Sequence, residues 1–270
     1  MVIFTYRNID RIINEKNKYN FNIQKPFFSI PERGLRINDY INDYPVKAMA
    51  AVFDYNYNSE EFKEVPYGWH WLYFLNLPLQ KNLGPDGHEK KIGFMPPIDL
   101  PIRMYAGGEI NYYKPLLIGQ EVKKTSSIVS IENKKGSTGN LIFLKINHKI
   151  SNDKETLINE VQNLVYREDK NTQKAKSNLN VMTPKIFDYE KSWNTSPEML
   201  FRYSALTHNT HKIHYDFLYA TNVEGYPQIV VHGPLMATFL LDLVSTIISD
   251  SKQNLIKFTF KLRSPVFVGG

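Results

Sequence analysis

The chain has 270 residues, with 33 Lys and Arg against 27 Asp and Glu, and no cysteine. That length suits one large domain or two ordinary ones, and the missing Cys excludes disulfides and thiolate-bound metals. An apolar share of 42% excludes a disordered chain, and a formal charge of +6 is too mild at this length to argue for nucleic acid.

In chain order, the first twenty residues carry Asp10 and Glu15 and no long apolar run, unlike a secretory or mitochondrial presequence. No segment approaches the ~18–20 apolar residues that a bilayer crossing needs. The expectation is a soluble, cytoplasmic protein with no membrane partner. Residues 46–55, VKAMAAVFDY, read as a helix. Residues 109–166 alternate like antiparallel strands, with a turn at ENKKGSTGN. Residues 169–184 are polar, end in Pro184 and read as a linker. Residues 185–193 suit a strand. Ser196 is a candidate N-cap with Pro197 at the first helical position, opening a helix to Leu206. Met236, Leu240, Leu243 and Ile247 recur at helical spacing and predict a buried helix over 233–249. Residues 256–262, IKFTFKL, alternate as a strand. Helix followed by strands, twice over, predicts an α+β double hotdog. It divides into a first unit at 1–168, the linker at 169–184, and a second unit at 185–270.

The chemistry concentrates in two pieces of the second unit. One is the loop His208-Asn209-Thr210-His211-Lys212-Ile213-His214-Tyr215-Asp216. The other is Val231-His232-Gly233-Pro234-Leu235, at the start of the predicted helix. Together they offer a general base, a polar group to orient water, and a helix N-terminus that can hold a developing negative charge.

The stretch RYSALTHNTHKIHYDFLYATNVEGYPQIVVHGPL resembles the hydroxyacyl-thioester dehydratase type 2 proteins. It is equally similar to the mesaconyl-C4-CoA and itaconyl-CoA hydratases with a FAS1-like dehydratase domain. Blocks in the first half agree in order: Trp69–Leu75, Leu83–His88, Gly93–Pro97 and Arg103–Gly108. The resemblance implies a double hotdog whose second unit is active and whose first is catalytically degenerate. It also implies further strands beyond Gly270, so the second unit reads as short at its C-terminus. An open sheet edge there would favour a homo-oligomer. More distantly the loop resembles the MaoC-like signature, with His214 at the motif His, Asn209 at the motif Asp and His211 at the motif Asn. An amide at 209 exchanges no proton near neutral pH, so the implied scheme centres on His214.

On that reading His214 takes a proton from water, Asn209 positions the water, and the Gly233 N–H receives the thioester oxygen. His211, Asp216 and His232 are supporting residues, with His211 bracing the loop and Asp216 orienting it. Arg103, Arg202, Lys212 and Arg263 are candidates for the phosphates of CoA or a carrier. The spacing His208-x-x-His211-x-x-His214 can suggest metal ligands, but with no Cys and no adjacent carboxylate motif no metal is assigned, and no cofactor. Trp69-His70-Trp71 reads as core packing, with an acyl pocket as its rival. The function that follows is a hydro-lyase on an α,β-unsaturated acyl thioester, of mesaconyl-C4-CoA or itaconyl-CoA type. The alternatives are a 3-hydroxyacyl-carrier or -CoA dehydratase, a hotdog thioesterase, and a non-catalytic acyl-thioester binder.

Overall fold

A computed structural model describes residues 2–6, 34–58, 62–90, 93–136, 139–168, 188–251 and 253–269. The expected linker at 169–184 lies outside the described residues. Eight strands are described: β1 (Val2–Tyr6), β2 (Leu35–Tyr40), β3 (Ile102–Tyr112), β4 (Glu121–Gly136), β5 (Gly139–Ser151), β6 (Thr156–Arg167), β7 (Tyr189–Trp193) and β8 (Lys257–Lys261). Three α-helices are described with them: α1 (Tyr44–Val52), α2 (Pro197–Leu206) and α3 (Gly233–Ser251).

Six strands form one antiparallel sheet in the order β2-β4-β5-β6-β3-β8. The stretch 109–166 holds four strands, β3 to β6; its first piece, 109–131, is split between β3 and β4 where Pro115 and Gly119 break the alternation. β3 also begins earlier, at Ile102. β8, from the far end of the chain, pairs with β3, Gly107 opposite Lys261 through Asn111 opposite Lys257. β1 pairs with β7, Val2 opposite Trp193, in a separate two-stranded ribbon. The two halves thus share a sheet and a ribbon.

α3 is the centre of the larger core. Leu235, Ala237, Phe239 and Leu241 have no solvent exposure, and Met236, Leu243 and Ile248 are buried too. A helix buried on most faces needs aromatic and aliphatic cover, and Phe53, Trp193 and the sheet supply it. One polar tie runs across this core: Asp242 of α3 accepts from Lys191 of β7 at 2.7 Å and from Tyr55 at 2.6 Å. α1 is only nine residues long. It starts at a proline-bearing turn and ends where Asp54 adopts φ 58°, with Tyr55 N–H returning to Ala50 O at 2.9 Å. α2 begins as its sequence requires, with Ser196 accepting from Met199 N–H at 3.2 Å and Pro197 in the first turn. A second, smaller core joins Ile128, Ile131, Ile142, Leu144, Ile146, Leu164 and Tyr166 beneath Ile98. Among the described residues no helix is long and apolar enough to cross a membrane.

Candidate active site

The loop of interest begins where α2 stops. His208 takes a left-handed conformation, φ 49°, its N–H reaching Ala205 O, and Asn209 N–H returns to Ser204 O at 2.9 Å. That pairing ends the helix, and it turns the His208 ring out to Asn76 O at 3.1 Å. His208 therefore leaves the group its spacing suggested. The Asn209 side-chain oxygen accepts from His211 N–H at 3.1 Å, closing a tight turn. One lone pair of its carbonyl is thus taken by the loop; its second lone pair and its NH2 remain to hold water. A 3-10 turn, Lys212–His214, follows, and then a π-helical turn, Tyr219–Val223. Asp216 accepts from Tyr219 N–H at 2.9 Å, so its carboxylate caps that second turn.

His214 is fixed by the segment before α3. Its Nδ1 lies 2.7 Å from Val230 O, which makes Nδ1 the protonated nitrogen and leaves Nε2 as the lone-pair atom. Val230 N–H in turn donates to Ile213 O at 2.9 Å, and Val231 N–H to Val266 O at 2.8 Å. The last residues of the chain thus buttress the histidine's anchor. The His232 ring stacks on His214, centroids 3.7 Å apart and planes 20° apart. His232 is fully buried, with Nε2 2.8 Å from Ser204 Oγ.

Gly233 is the first residue of α3, so its N–H has no partner inside the helix. A Cβ here would lie 2.6 Å from Leu262 Cδ1 and 3.1 Å from the Tyr105 ring. The missing Cβ is therefore explained by the packing of Leu262 and Tyr105. It is not evidence of room for a substrate oxygen, which must come to the N–H from another side.

The structure adds two residues to the group. The turn Leu83–Glu89 of the first half docks against the loop: Lys212 N–H donates to Asp86 O at 2.9 Å and Thr210 Oγ1 to Gly87 O at 2.6 Å. Gly87 has φ 88°, and a Cβ on it would stand 1.9 Å from Thr210 O, so only glycine permits this contact. Docking brings His88 ring to ring with His211, centroids 3.9 Å apart, and His211 meets His214 edge-on at 5.5 Å. Asp86 binds His88 Nδ1 at 3.0 Å. Four imidazoles thus form a row, His88–His211–His214–His232, with one carboxylate at its end. Nothing local in the sequence announces this: Leu83–His88 stood out only by its likeness to a family block.

Burial sets the charge of the row. It pushes His214 down to about 4, helped by the nearby His88 and opposed by the Val230 hydrogen bond. Burial and neighbouring imidazoles hold His211 and His232 well below the ordinary histidine value. Burial also lowers His88, against the pull of Asp86 and with the help of Arg103. For Asp86, burial acts upward, but the hydrogen bonds and charge of His88 carry it below the usual carboxylate range. At neutral pH the row is a line of uncharged bases ending in an anion. Asp86, His88 and His211 each offer a ligand atom, all within 4.8 Å of one another. Their histidine rings lie nearly face to face, 33° from parallel, whereas metal ligands aim their in-plane lone pairs at one point.

Other candidates sit elsewhere. Arg202 and Arg263 are exposed, and Lys212 Nζ lies 5.2 Å over the Tyr219 ring. Arg103 hydrogen-bonds Tyr166. Trp69 and His70 are 3% exposed and belong to the core, His70 and Trp71 both binding Glu160, at 3.1 and 2.9 Å.

The family described as hydroxyacyl-thioester dehydratase type 2 matches residues 68–268. A mesaconyl-C(4)-CoA hydratase of Chloroflexus aurantiacus is 39% identical over 200 residues, covering 74% of this chain and 70% of the relative. The mitochondrial hydroxyacyl-thioester dehydratase type 2 of Schizosaccharomyces pombe is 30% identical over 224 residues, 74% of each chain. In fold the chain is similar to HtdX of Mycobacterium tuberculosis (TM-score 0.57, 18% identity, 87% of this chain and 84% of that one). It is also similar to a MaoC-like dehydratase of Phytophthora capsici (TM-score 0.58, 16% identity, 89% and 83%).

Proposed function

Because the chain belongs to the hydroxyacyl-thioester dehydratase type 2 family, and is a carbon–oxygen lyase of the hydratase/dehydratase kind, we propose that it hydrates a short, branched dicarboxylyl-CoA of mesaconyl-C4-CoA or itaconyl-CoA type. One observation carries the site assignment: the His214 tautomer is fixed by Val230 O, with no described residue bonded to Nε2, and its ring stacks on that of His232, the residue before α3.

Water adds to the β-carbon as His214 Nε2 takes its proton. The thioester oxygen gains negative charge as the enolate forms. The Gly233 N–H and the positive end of the α3 dipole stabilise that charge, an effect worth about 3–4 kcal/mol for one well-placed donor. The proton then passes to the α-carbon, and the same groups run the reverse dehydration. Asn209 holds the water through its NH2 or the remaining lone pair of its carbonyl. Arg202, Lys212 and Arg263 are the cations we assign to the CoA phosphates. The higher identity to the mesaconyl-C(4)-CoA hydratase favours a CoA substrate over the 3-hydroxyacyl substrates of the dehydratase reading. We place the protein in the cytoplasm, as a homo-oligomer that needs no cofactor.

The test is incubation of purified protein with a panel of enoyl-CoAs and 3-hydroxyacyl-CoAs, followed by mass detection of species that have gained or lost one water. Turnover of mesaconyl- or itaconyl-type CoA ahead of linear acyl chains is the expected result. Release of free CoA without hydration would replace the reading with a thioesterase.

A further inference from the structure

The loop that carries His214 holds no carboxylate directed at the imidazoles. Asn209 is an amide, and Asp216 caps the Tyr219 turn. Among the described residues, the carboxylate hydrogen-bonded to a ring of the row is Asp86, 3.0 Å from His88 Nδ1. It comes from the half of the chain that the sequence marked as inert. Its position is held by more than one bond: His88 N–H also donates to Asp86 Oδ1 at 3.0 Å, and the backbone of Asp86 and Gly87 is clamped to Lys212 and Thr210.

An anion is needed here for a physical reason. When a base in the row takes a proton, a positive charge appears among buried rings, and an uncompensated buried charge is costly. Among the described residues, Arg103 on β3 also acts on His88 and His211, and it has the wrong sign to help. The neighbouring His214 and His232 oppose the charge as well.

We propose that Asp86, acting through His88 and His211, is the counter-charge for the proton in transit, so that the first half of the chain supplies a positioning carboxylate to the active site of the second. This rests on the hydratase reading above. Asp86 does not touch the reacting atoms; it orients His88, polarises its ring through the Nδ1 bond and thereby steadies a proton on the row. No net proton is gained in a cycle: the one taken from water leaves to the α-carbon.

Asp86→Asn tests this with little change of shape, because the amide oxygen can keep one of the two bonds from His88 while the charge is lost. The expected result is a fall in kcat of roughly 10–100-fold, smaller than the loss of a general base itself, with KM within about twofold. The histidine NMR titration of Asp86→Asn should show His88 losing its proton at lower pH than in the unaltered protein. The double variant Asp86→Asn/Asn209→Asp should recover most of the lost kcat, since it returns an anion to the other side of the docking contact, on the loop that carries His211. A merely structural turn would give additive losses and no such recovery.

Three results would overturn the proposal: Asp86→Asn with unchanged kcat, a loss that Asn209→Asp does not repair, or a His88 titration that ignores the substitution. Tight binding of zinc that the hydratase activity requires would also overturn it, making Asp86, His88 and His211 metal ligands. If the unaltered protein hydrates no acyl-CoA, the hydratase reading fails, and the NMR comparison still decides whether Asp86 holds the proton.

Discussion

His148 lies on β5 with both ring nitrogens taken, Ser126 Oγ at 2.8 Å and Gln162 Oε1 at 3.3 Å. His214 lies where two loops meet, with Nδ1 taken by Val230 O and no described residue on Nε2. Burial lowers the pKa of both, so a depressed value does not by itself tell a working histidine from a packed one. The difference is the spare nitrogen and what it faces. The sheet's polar network, with Glu160 bound by His70 and Trp71, uses its hydrogen bonds to satisfy a buried carboxylate. The row at the junction keeps its bases uncharged and leaves one of them, His214, a lone pair that no described residue takes.

The largest expected effect separates the two groups directly. His214→Ala should lower hydration by ~10²–10⁴-fold while circular dichroism still shows the native fold, even if the lost packing lowers the melting temperature. Glu160→Gln should do the opposite. It weakens the bonds to His70 and Trp71 and costs about 1–3 kcal/mol of stability, while the folded enzyme keeps its kcat. If Glu160→Gln lost activity at full stability, the sheet network would have to be counted as part of the active site.

The next effect is a pH dependence of stability. A histidine whose folded pKa lies below its unfolded value binds fewer protons when folded, so stability falls as pH drops between the two values. For His214 that window runs from the ordinary 6.5 down to about 4, and its full cost is on the order of 3 kcal/mol. His88, His148, His211 and His232 act in the same direction. The melting temperature should therefore fall between pH 7 and pH 5, and His214→Gln should flatten that fall. A melting temperature constant over this range would mean that the row is not buried as described.

How much of this was legible beforehand follows from the range of the forces involved. Ser196 and Pro197 announce α2 because capping is local, and the apolar spacing from Met236 onward announces α3 because its burial is nearly complete. The start of α3 at Gly233 was legible for the same reason. The Asp86–His88 pair was not: Gly87 and Thr210, which bond across the docking contact, are 123 positions apart, and no periodicity links them. Nor could the sequence say that the bare Cα of Gly233 packs against Leu262 and Tyr105, or that the Asn209 oxygen accepts from His211 N–H of its own loop. Local chemistry marked the loop; only tertiary contact shows which atoms remain free.

A smaller effect should come from the docking contact itself. Gly87→Ala forces a Cβ toward Thr210 O and strains a left-handed backbone, at a cost of roughly 1–3 kcal/mol. Because the turn carries His88 to His211, kcat should fall along with stability. A fall in melting temperature alone would show that the row keeps its geometry without the first half's turn.

The central claim is that the junction adds water to carbon and leaves the thioester whole. The direct measurement is turnover of mesaconyl-C4-CoA or itaconyl-CoA in heavy-oxygen water, with the product read by mass spectrometry before and after chemical cleavage of the thioester. The account predicts one heavy oxygen, at the β-carbon hydroxyl, in an intact acyl-CoA, and no such product from folded His214→Ala. A heavy oxygen in a released carboxylate, or labelled acyl-CoA formed equally well by His214→Ala, would contradict it.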